Sequence, residues 1–239
     1  MMIVFVRVET RAYYDAGDGD FKLKRRFEEL SGEPCLVIHL SQASPALMAD
    51  LRPRALLLSG CGTWFRDFDV REFWGLEDVV RTCVDIPTLA FCGSHQLLGF
   101  MFNHGMRNLS RVEDEPMRPL RPGEPDFTPG AHAGVFTEYG FHEVRKVEDD
   151  PLFADLPDPL IVREWHQCEI KTLPPEFNLL ATNDNCRVQA MRHRSRPLYG
   201  TQFHPESYAE PYTHGRTLLR NFFRLAGLSV PEAEGRASA

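Results

Sequence analysis

Short apolar runs separated by amphipathic stretches constrain the fold of this chain more than any other feature of its sequence. Apolar runs of this length, bounded by turn residues, indicate buried strands, and the stretches between them have helical spacing. The runs are Ile3–Val8, Cys35–Leu40, Ala55–Ser59 and Thr88–Phe91, and the helical stretches are Phe21–Leu30, Glu72–Val84 and Gly93–His104. This alternation predicts β-α units on a mostly parallel sheet.

The second half of the chain has a different pattern, in which short strand-like pieces follow one another with Pro-rich turns between them. The pieces are Val135–Thr137, His142–Val147, Leu160–Glu164, Asn178–Thr182, Val188–Arg192 and Leu198–Phe203. Consecutive strands without helices between them favour an antiparallel arrangement. We therefore expect a small antiparallel layer before the chain rejoins the main sheet and ends in a helix over Tyr212–Leu225.

A long loop is predicted over residues 111–134, which contain five prolines together with glycine and charged residues. Prolines at this density exclude regular structure. Such a loop is either a lid beside a site or a surface excursion. We expect one domain over residues 1–228, because 239 residues fit a single α/β domain, and a frayed tail over 229–239.

Charge and cysteine content exclude several kinds of partner. The net charge of −7 and the lack of a Lys/Arg cluster argue against nucleic-acid binding, which needs a basic surface. The apolar start is too short for a signal peptide or a membrane span, so we expect a cytoplasmic chain with reduced thiols. The six cysteines form no CxxC pair, and nothing in the sequence requires a metal, flavin or nucleotide.

The string PTLAFCGSHQ, residues 87–96, places a cysteine where an apolar strand is expected to meet a helix. A nucleophile at such a turn stands clear of both elements. The positive end of the helix stabilises the thiolate of Cys92, and the backbone N–H of Gly93 is a candidate oxyanion donor. The competing interpretation is a buried cysteine that only fills space at a strand end.

The string YGTQFHPE, residues 199–206, supplies a candidate base for that thiol. His204 follows an apolar strand, and Glu206 lies two residues later, within reach of the imidazole. A thiol nucleophile needs a base and a group that orients it, although a surface histidine beside a glutamate is also common. The turn Gly60-Cys61-Gly62 after the third strand predicts a second set of backbone N–H donors.

Together these three strings resemble, in order and spacing, those of the class I (triad) glutamine amidotransferases over most of the chain. That family carries G-x-C-x-G-x-Q at its nucleophile, a Ser-Gly-Gly turn upstream and G-x-Q-F-H-P-E near its end. The segment 165–169 (WHQCE) also looks like the Ser-His-x-Asp string of the GMP synthetase-like branch. The resemblance implies a three-layer, flavodoxin-like α/β fold with a mostly parallel central sheet and a small additional antiparallel layer.

The resemblance also implies roles for particular residues. It implies a triad of Cys92, His204 and Glu206, an oxyanion hole from Gly60, Cys61 and Gly93, and substrate binding by Gln96 and His166. Three positions depart from the family pattern, namely Ala90 and Ser94 around the nucleophile and Cys61 in the oxyanion turn. A backbone donor survives any side chain, but a β-carbon can crowd a strained turn.

Three functions remain open at this stage. The first is cysteine-dependent hydrolysis of glutamine or a γ-glutamyl amide through a γ-glutamyl thioester, which releases ammonia or an amine. The second is a glutaminase subunit that supplies ammonia to a separate synthetase chain. The third is a non-catalytic binding protein on the same scaffold. The implied small-molecule partner in the first two is glutamine or a γ-glutamyl compound.

Overall fold

A mixed sheet of nine strands forms the centre of the computed structural model, which describes residues 2–17, 20–128 and 133–231. Its strands are β1 (Ile3–Arg7), β2 (Cys35–His39), β3 (Ala55–Leu58), β4 (Thr88–Phe91), β5 (Glu138–Lys146), β6 (Leu160–His166), β7 (Phe177–Thr182), β8 (Ala190–His193) and β9 (Leu198–Thr201). Their order across the sheet is β2-β1-β3-β4-β9-β8-β7-β5-β6.

Six α-helices accompany the strands within the described ranges. They are α1 (Arg11–Ala16), α2 (Asp20–Ser31), α3 (Pro45–Leu51), α4 (Trp74–Thr82), α5 (Gly93–Asn103) and α6 (His214–Leu225). Short 3-10 turns complete the connections, one of them over Pro205–Ser207. No helix in this part of the chain has both the length and the apolar character that a bilayer span requires.

The parallel half of the sheet comprises β2, β1, β3, β4 and β9. Its side chains alternate between two apolar clusters, one on each face. The first cluster includes Val4, Met48, Leu76 and Leu97, and the second includes Phe5, Phe27, Leu57 and Phe222. Helices α3, α4 and α5 therefore cover one face, and α2 and α6 cover the other. Because these strands are buried on both faces, their sequences are continuous apolar runs. The predicted three-layer α/β fold is confirmed.

The antiparallel half continues the same sheet. Strand β8 pairs with β9, β7 with β8, β5 with β7 and β6 with β5, all in antiparallel orientation. The expected antiparallel layer is thus an extension of the sheet edge, and β5 and β6 form a long hairpin there. The predicted strand over Val135–Thr137 is reduced to one isolated bridge between Val135 and Pro119.

The Pro-rich segment lies where it contacts other parts of the fold. Residues 111–128 and 133–134 contain no helix or strand, only bridges such as Pro116 with Cys168; residues 129–132 lie outside the described ranges. Asp114 accepts the N–H group of Phe65 at 3.1 Å. Of the predicted tail, Val230 packs against the second apolar cluster, and residues 232–239 lie outside the description. The single domain over residues 1–228 stays a prediction.

His95 on α5 generates a prediction about stability and pH. Burial lowers the pKa of His95 to about 3, and its Nε2 lies 2.9 Å from the carbonyl of Val188. The folded state holds this ring neutral, whereas the unfolded chain protonates it below about pH 6.5. Its contribution to stability is therefore present above about pH 6.5 and is lost as the pH falls toward 3, by up to about 1.4 kcal/mol per pH unit.

We expect His95→Gln to reduce the difference between the free energies of unfolding at pH 7 and pH 5, measured by chemical denaturation. His104→Gln is the matched control, because His104 is exposed at the end of the same helix and its replacement should leave the difference unchanged. Equal pH dependence in the wild type and in both variants would contradict this account of His95.

Candidate active site

Cys92 occupies a strained turn between β4 and α5. Its φ of 44° and ψ of −106° lie in a region that non-glycine residues rarely adopt. The backbone N–H of Cys92 donates to the carbonyl of Thr201 at 2.7 Å, which ties the turn to β9. The thiol is free, and the residue is 6% exposed. This is the strand-to-helix elbow expected of a nucleophile.

The structure brings the other two predicted triad residues to this thiol. His204 Nδ1 lies 2.7 Å from Glu206 Oε1, and the imidazole lies beside Cys92, since a β-carbon on Gly60 would contact both side chains. Burial lowers the pKa of His204, but the charges of Glu206 and Cys92 outweigh it, so the pKa is raised well above its usual value. A base oriented by a carboxylate beside a thiol is the arrangement that activates a nucleophile.

The backbone of the 3-10 turn that carries Glu206 is held from two sides. The N–H of His204 donates to the carbonyl of Arg163 at 2.8 Å. The guanidinium of Arg26 on α2 donates to the carbonyl of Glu206, and it also lies 4.1 Å from the ring centre of Tyr208. These contacts hold the backbone on either side of the orienting carboxylate to β6 and to α2.

The predicted oxyanion turn lies directly against the elbow. A β-carbon on Gly93 would lie 2.8 Å from the backbone nitrogen of Cys61, and one on Gly60 would lie 2.9 Å from His204 Cε1 and 3.6 Å from Cys92 Cβ. Only glycine allows such close approach. The backbone nitrogens of Cys61 and Gly93 are therefore neighbours beside the sulfur, where an oxyanion would form.

Glu9, which no sequence pattern singled out, supports this turn from the end of β1. Its carboxylate accepts the N–H of Gly62 at 2.6 Å and the hydroxyl of Thr63 at 3.0 Å. The Cys61 thiol donates to the carbonyl of Thr63 at 3.0 Å, and burial with the charge of Glu9 raises the pKa of Cys61 well above its usual value. Cys61 is thus a protonated thiol and not a second nucleophile.

Gln96 lines the cleft, as its predicted role in substrate binding requires. Its side-chain NH₂ donates to the carbonyl of Cys168 at 2.7 Å and to Gln202 Oε1 at 3.2 Å. Gln202 in turn donates to the Cys92 sulfur at 3.6 Å. A substrate would therefore meet the carbonyl oxygen of the Gln96 side chain, because the NH₂ group already has two protein acceptors.

His166 is less available to a substrate than its predicted binding role requires. Its Nδ1 lies 3.0 Å from the carbonyl of Cys168, and its Nε2 lies 3.0 Å from Glu138 Oε2 and 3.3 Å from Glu164 Oε2. Both ring nitrogens thus have protein partners. Glu138, Glu164 and His166 are also the one group among the described residues whose ligand atoms lie close enough together to hold a metal ion.

These groups surround a cleft of about 470 Å³. Besides the triad and the oxyanion turn, it is lined by Arg7, Glu9, Tyr13, Trp64, Gln96, Asp114, Trp165 and His166. The carbonyl of Trp165 accepts the thiol of Cys92 at 3.6 Å. One wall of the cleft therefore has a candidate nucleophile, an oriented base and backbone N–H donors, which are the groups that acyl transfer requires.

Gly93 provides a direct test of the oxyanion geometry. In Gly93→Ala the new methyl group would lie 2.7 Å from Cys61 Cβ, so the two backbone donors must move apart. We expect the rate of acyl transfer at Cys92, measured as ammonia release from amide substrates, to fall on the order of a hundredfold, the usual loss when one oxyanion donor is misplaced. Gly17→Ala is the matched control, because its methyl would meet only ordinary contacts at 3.4 and 3.7 Å. Equal rates for both variants would contradict the assignment.

Comparison with known proteins places the sequence in a family. The family model for glutamine amidotransferase class-I matches residues 22–226. A subunit of the glutamine-hydrolyzing GMP synthase of Pyrococcus abyssi is 44% identical over 144 residues, which span 60% of this chain and 62% of that protein. The corresponding subunit of Methanopyrus kandleri is 32% identical over 180 residues, which span 74% of this chain and 80% of that protein.

Solved structures share the fold. A putative GMP synthase subunit from Thermoplasma acidophilum superposes with a TM-score of 0.69 at 24% identity, over 95% of each chain. A glutamine amidotransferase from Thermotoga maritima gives 0.60 at 16% identity, over 95% of this chain and 98% of that one. With the family model matching most of the sequence and the triad strings in their expected places, the chain belongs to the class I glutamine amidotransferase family.

Proposed function

We propose that this protein hydrolyses the side-chain amide of glutamine through a γ-glutamyl thioester on Cys92 and releases ammonia. The observation that carries the proposal is the convergence of Cys92, His204 and Glu206 on one wall of the cleft, beside the backbone nitrogens of Cys61 and Gly93. A buried cysteine without a base beside it would not need this arrangement.

The proposed reaction begins with transfer of the Cys92 thiol proton to His204 as the sulfur attacks the amide carbon. The carbonyl oxygen becomes an oxyanion, which the N–H groups of Cys61 and Gly93 stabilise. His204 then protonates the departing nitrogen, the C–N bond breaks and ammonia leaves. A water molecule, deprotonated by His204, attacks the thioester, and collapse of the second oxyanion releases glutamate and restores the thiol.

The ammonia acceptor is the finer part of the proposal. The relatives from Pyrococcus abyssi and Methanopyrus kandleri are named as one subunit of a glutamine-hydrolyzing GMP synthase. This supports the proposal that the chain is a glutaminase subunit that supplies ammonia to a separate synthetase chain. GMP synthesis is then the first reaction to test for that partner.

A free-standing γ-glutamyl amide hydrolase is a second candidate, favoured by the size of the cleft. Arg7, Tyr13 and Trp64 line it together with the triad, which leaves room for a substrate that extends beyond the amide group. The two candidates share their chemistry at Cys92 and differ in whether turnover depends on another chain.

Cys92→Ser tests the chemistry common to both candidates. We expect ammonia release from glutamine to fall by at least about a thousandfold. The reason is that His204 can deprotonate a thiol but not the far less acidic hydroxyl of serine. Cys83→Ser is the matched control, since Cys83 is a free thiol at the end of α4 and does not line the cleft. Ammonia release that survives Cys92→Ser would contradict the proposal.

A panel of substrates separates the two candidates in the same assay. Slow hydrolysis of glutamine that accelerates when a GMP-forming synthetase chain is added would favour the glutaminase subunit. Rapid unaided release of amines from γ-glutamyl amides larger than glutamine would favour the free-standing hydrolase.

A further inference from the structure

A buried group of ionisable side chains lies on the inner face of the β5–β6 hairpin, beside the cleft that His166 helps to line. Glu138 on β5 is paired in register with His166 on β6, and Glu164 lies two residues before His166 on the same face. The side chains of all three are at most 1% exposed. The charges of such deeply buried groups must compensate one another, because isolated buried charges are very costly.

The hydrogen bonds assign a charge to each member. The Glu138 carboxylate accepts hydrogen bonds from Asn183 at 2.8 Å, Asn185 at 3.1 Å, Gln189 at 2.9 Å and His166 at 3.0 Å. A carboxylate with several donors is stabilised in its ionised form, and the pKa of Glu138 is lowered despite its burial. Glu138 therefore carries the negative charge of the group.

His166 is enclosed by acceptors on both sides. Nδ1 faces the backbone carbonyl of Cys168, which cannot donate, and Nε2 faces the carboxylates of Glu138 and Glu164. Both nitrogens must then carry a proton, which makes the ring an imidazolium. Burial lowers the pKa of His166, but the hydrogen bond with Glu138 is the leading effect in the opposite direction, and the pKa is raised.

Glu164 differs from Glu138 because it lacks donors. Neither of its oxygens accepts a hydrogen bond of good geometry, and full burial raises its pKa. A carboxyl group that is buried without donors favours its neutral form, and a neutral Glu164 leaves one negative charge on Glu138 and one positive charge on His166. The group is thus electrically balanced without any contribution from solvent.

The backbone on either side of His166 connects this buried group to the reacting residues. The carbonyl of Cys168 accepts from His166 at 3.0 Å and from Gln96 at 2.7 Å, and Gln96 connects through Gln202 to the Cys92 sulfur. The carbonyl of Trp165, next to His166, accepts the Cys92 thiol at 3.6 Å. A shift of His166 would therefore displace both the substrate-binding amide and the acceptor of the thiol.

We propose that Glu138 and His166 are positioning residues, which hold the Trp165–Cys168 segment against Cys92 and Gln96, with Glu164 beside them as a buried carboxyl group without hydrogen-bond donors. This inference rests on the proposed hydrolysis of glutamine for its readout. Neither residue touches the reacting atoms, and their effect is transmitted by the two backbone carbonyls.

Glu138→Gln and Glu164→Gln form a matched pair for testing the proposal, since each replaces a buried carboxyl group by an amide of the same shape. We expect Glu138→Gln to lower kcat for glutamine by roughly tenfold to a hundredfold, as misplacement of substrate-holding groups does. Glu164→Gln should stay within about twofold of the wild type, because it replaces one neutral group by another. His166→Gln, a second neutral variant, should resemble Glu138→Gln.

Two labelling rates distinguish positioning from a general loss of structure. Labelling of Cys92 by a glutamine-like chloroketone requires the substrate-binding groups, whereas alkylation by iodoacetamide requires only an accessible thiol. In Glu138→Gln the first rate should fall with kcat and the second should stay near the wild-type value. Nitrogen-15 NMR of the wild type at pH 8 should show both His166 ring nitrogens protonated, and Glu138→Gln should lose this signature.

Three results would overturn the inference. One is a Glu138→Gln protein with wild-type kcat, and another is a Glu164→Gln protein as impaired as Glu138→Gln. The third is a metal ion that co-purifies with the wild type and is lost from Glu138→Gln, since a metal-bound His166 could not carry both protons. A wild-type protein whose Cys92 is not labelled by the chloroketone would instead contradict the proposed function itself.

Discussion

Parallel pairing of β4 with β3 on one side and with β9 on the other is the constraint on which the site depends. Ala90 is level with Leu58 and with Gly200 across these pairs, so the three strands end at the same edge of the sheet. The residues that follow those ends are Gly60, Cys92 and His204, which lie far apart in the sequence and meet here. Ligands of open α/β sheets bind at this carboxyl edge for the same reason.

The three departures from the family's usual strings are accommodated because the functional groups they border belong to the backbone. Ala90 is fully buried in β4. The Ser94 hydroxyl donates to the carbonyl of Ser59 and so ties α5 to the turn after β3. The Cys61 thiol donates to Thr63. All three positions keep their backbone N–H groups whatever the side chain, so the predicted oxyanion turn beside the Cys92 sulfur keeps its donors.

Local signals in the sequence were sufficient for the parallel half, and they also predicted the triad of Cys92, His204 and Glu206, whose side chains lie together in the structure. Continuous apolar runs identified β1 to β4 to within two residues at their ends, and Gly32 and Gly105 close α2 and α5 with positive φ values, as caps do. Short helices were not predicted. Helix α3 has a helix-start signal, with Ser44 as its N-cap and Pro45 in its first turn, but its seven residues are too few to show a clear helical period.

The buried polar contacts of the antiparallel half could not be predicted in the same way, because the residues that form them are distant in sequence. Nothing local to Glu138 indicates that it faces His166, or that Asn183, Asn185 and Gln189 converge on its carboxylate. Glu9 and Gln202 were missed for the same reason, since their importance lies in contacts with Gly62 and Cys92. Such contacts depend on the tertiary fold, which a single sequence does not display.

Charge balance identifies the acidic partner of His166, which a comparison of sequence motifs does not. The family's Ser-His-x-Asp string has an acid two residues after its histidine, where this chain has Cys168, and the following Glu169 pairs with Lys171 at 2.6 Å. The acid that neutralises His166 is Glu138, on the neighbouring strand. A buried imidazolium needs one compensating negative charge, and the many donors around Glu138 decide which carboxyl group supplies it. The position of a charge in the sequence is therefore less informative than the hydrogen bonds that stabilise it.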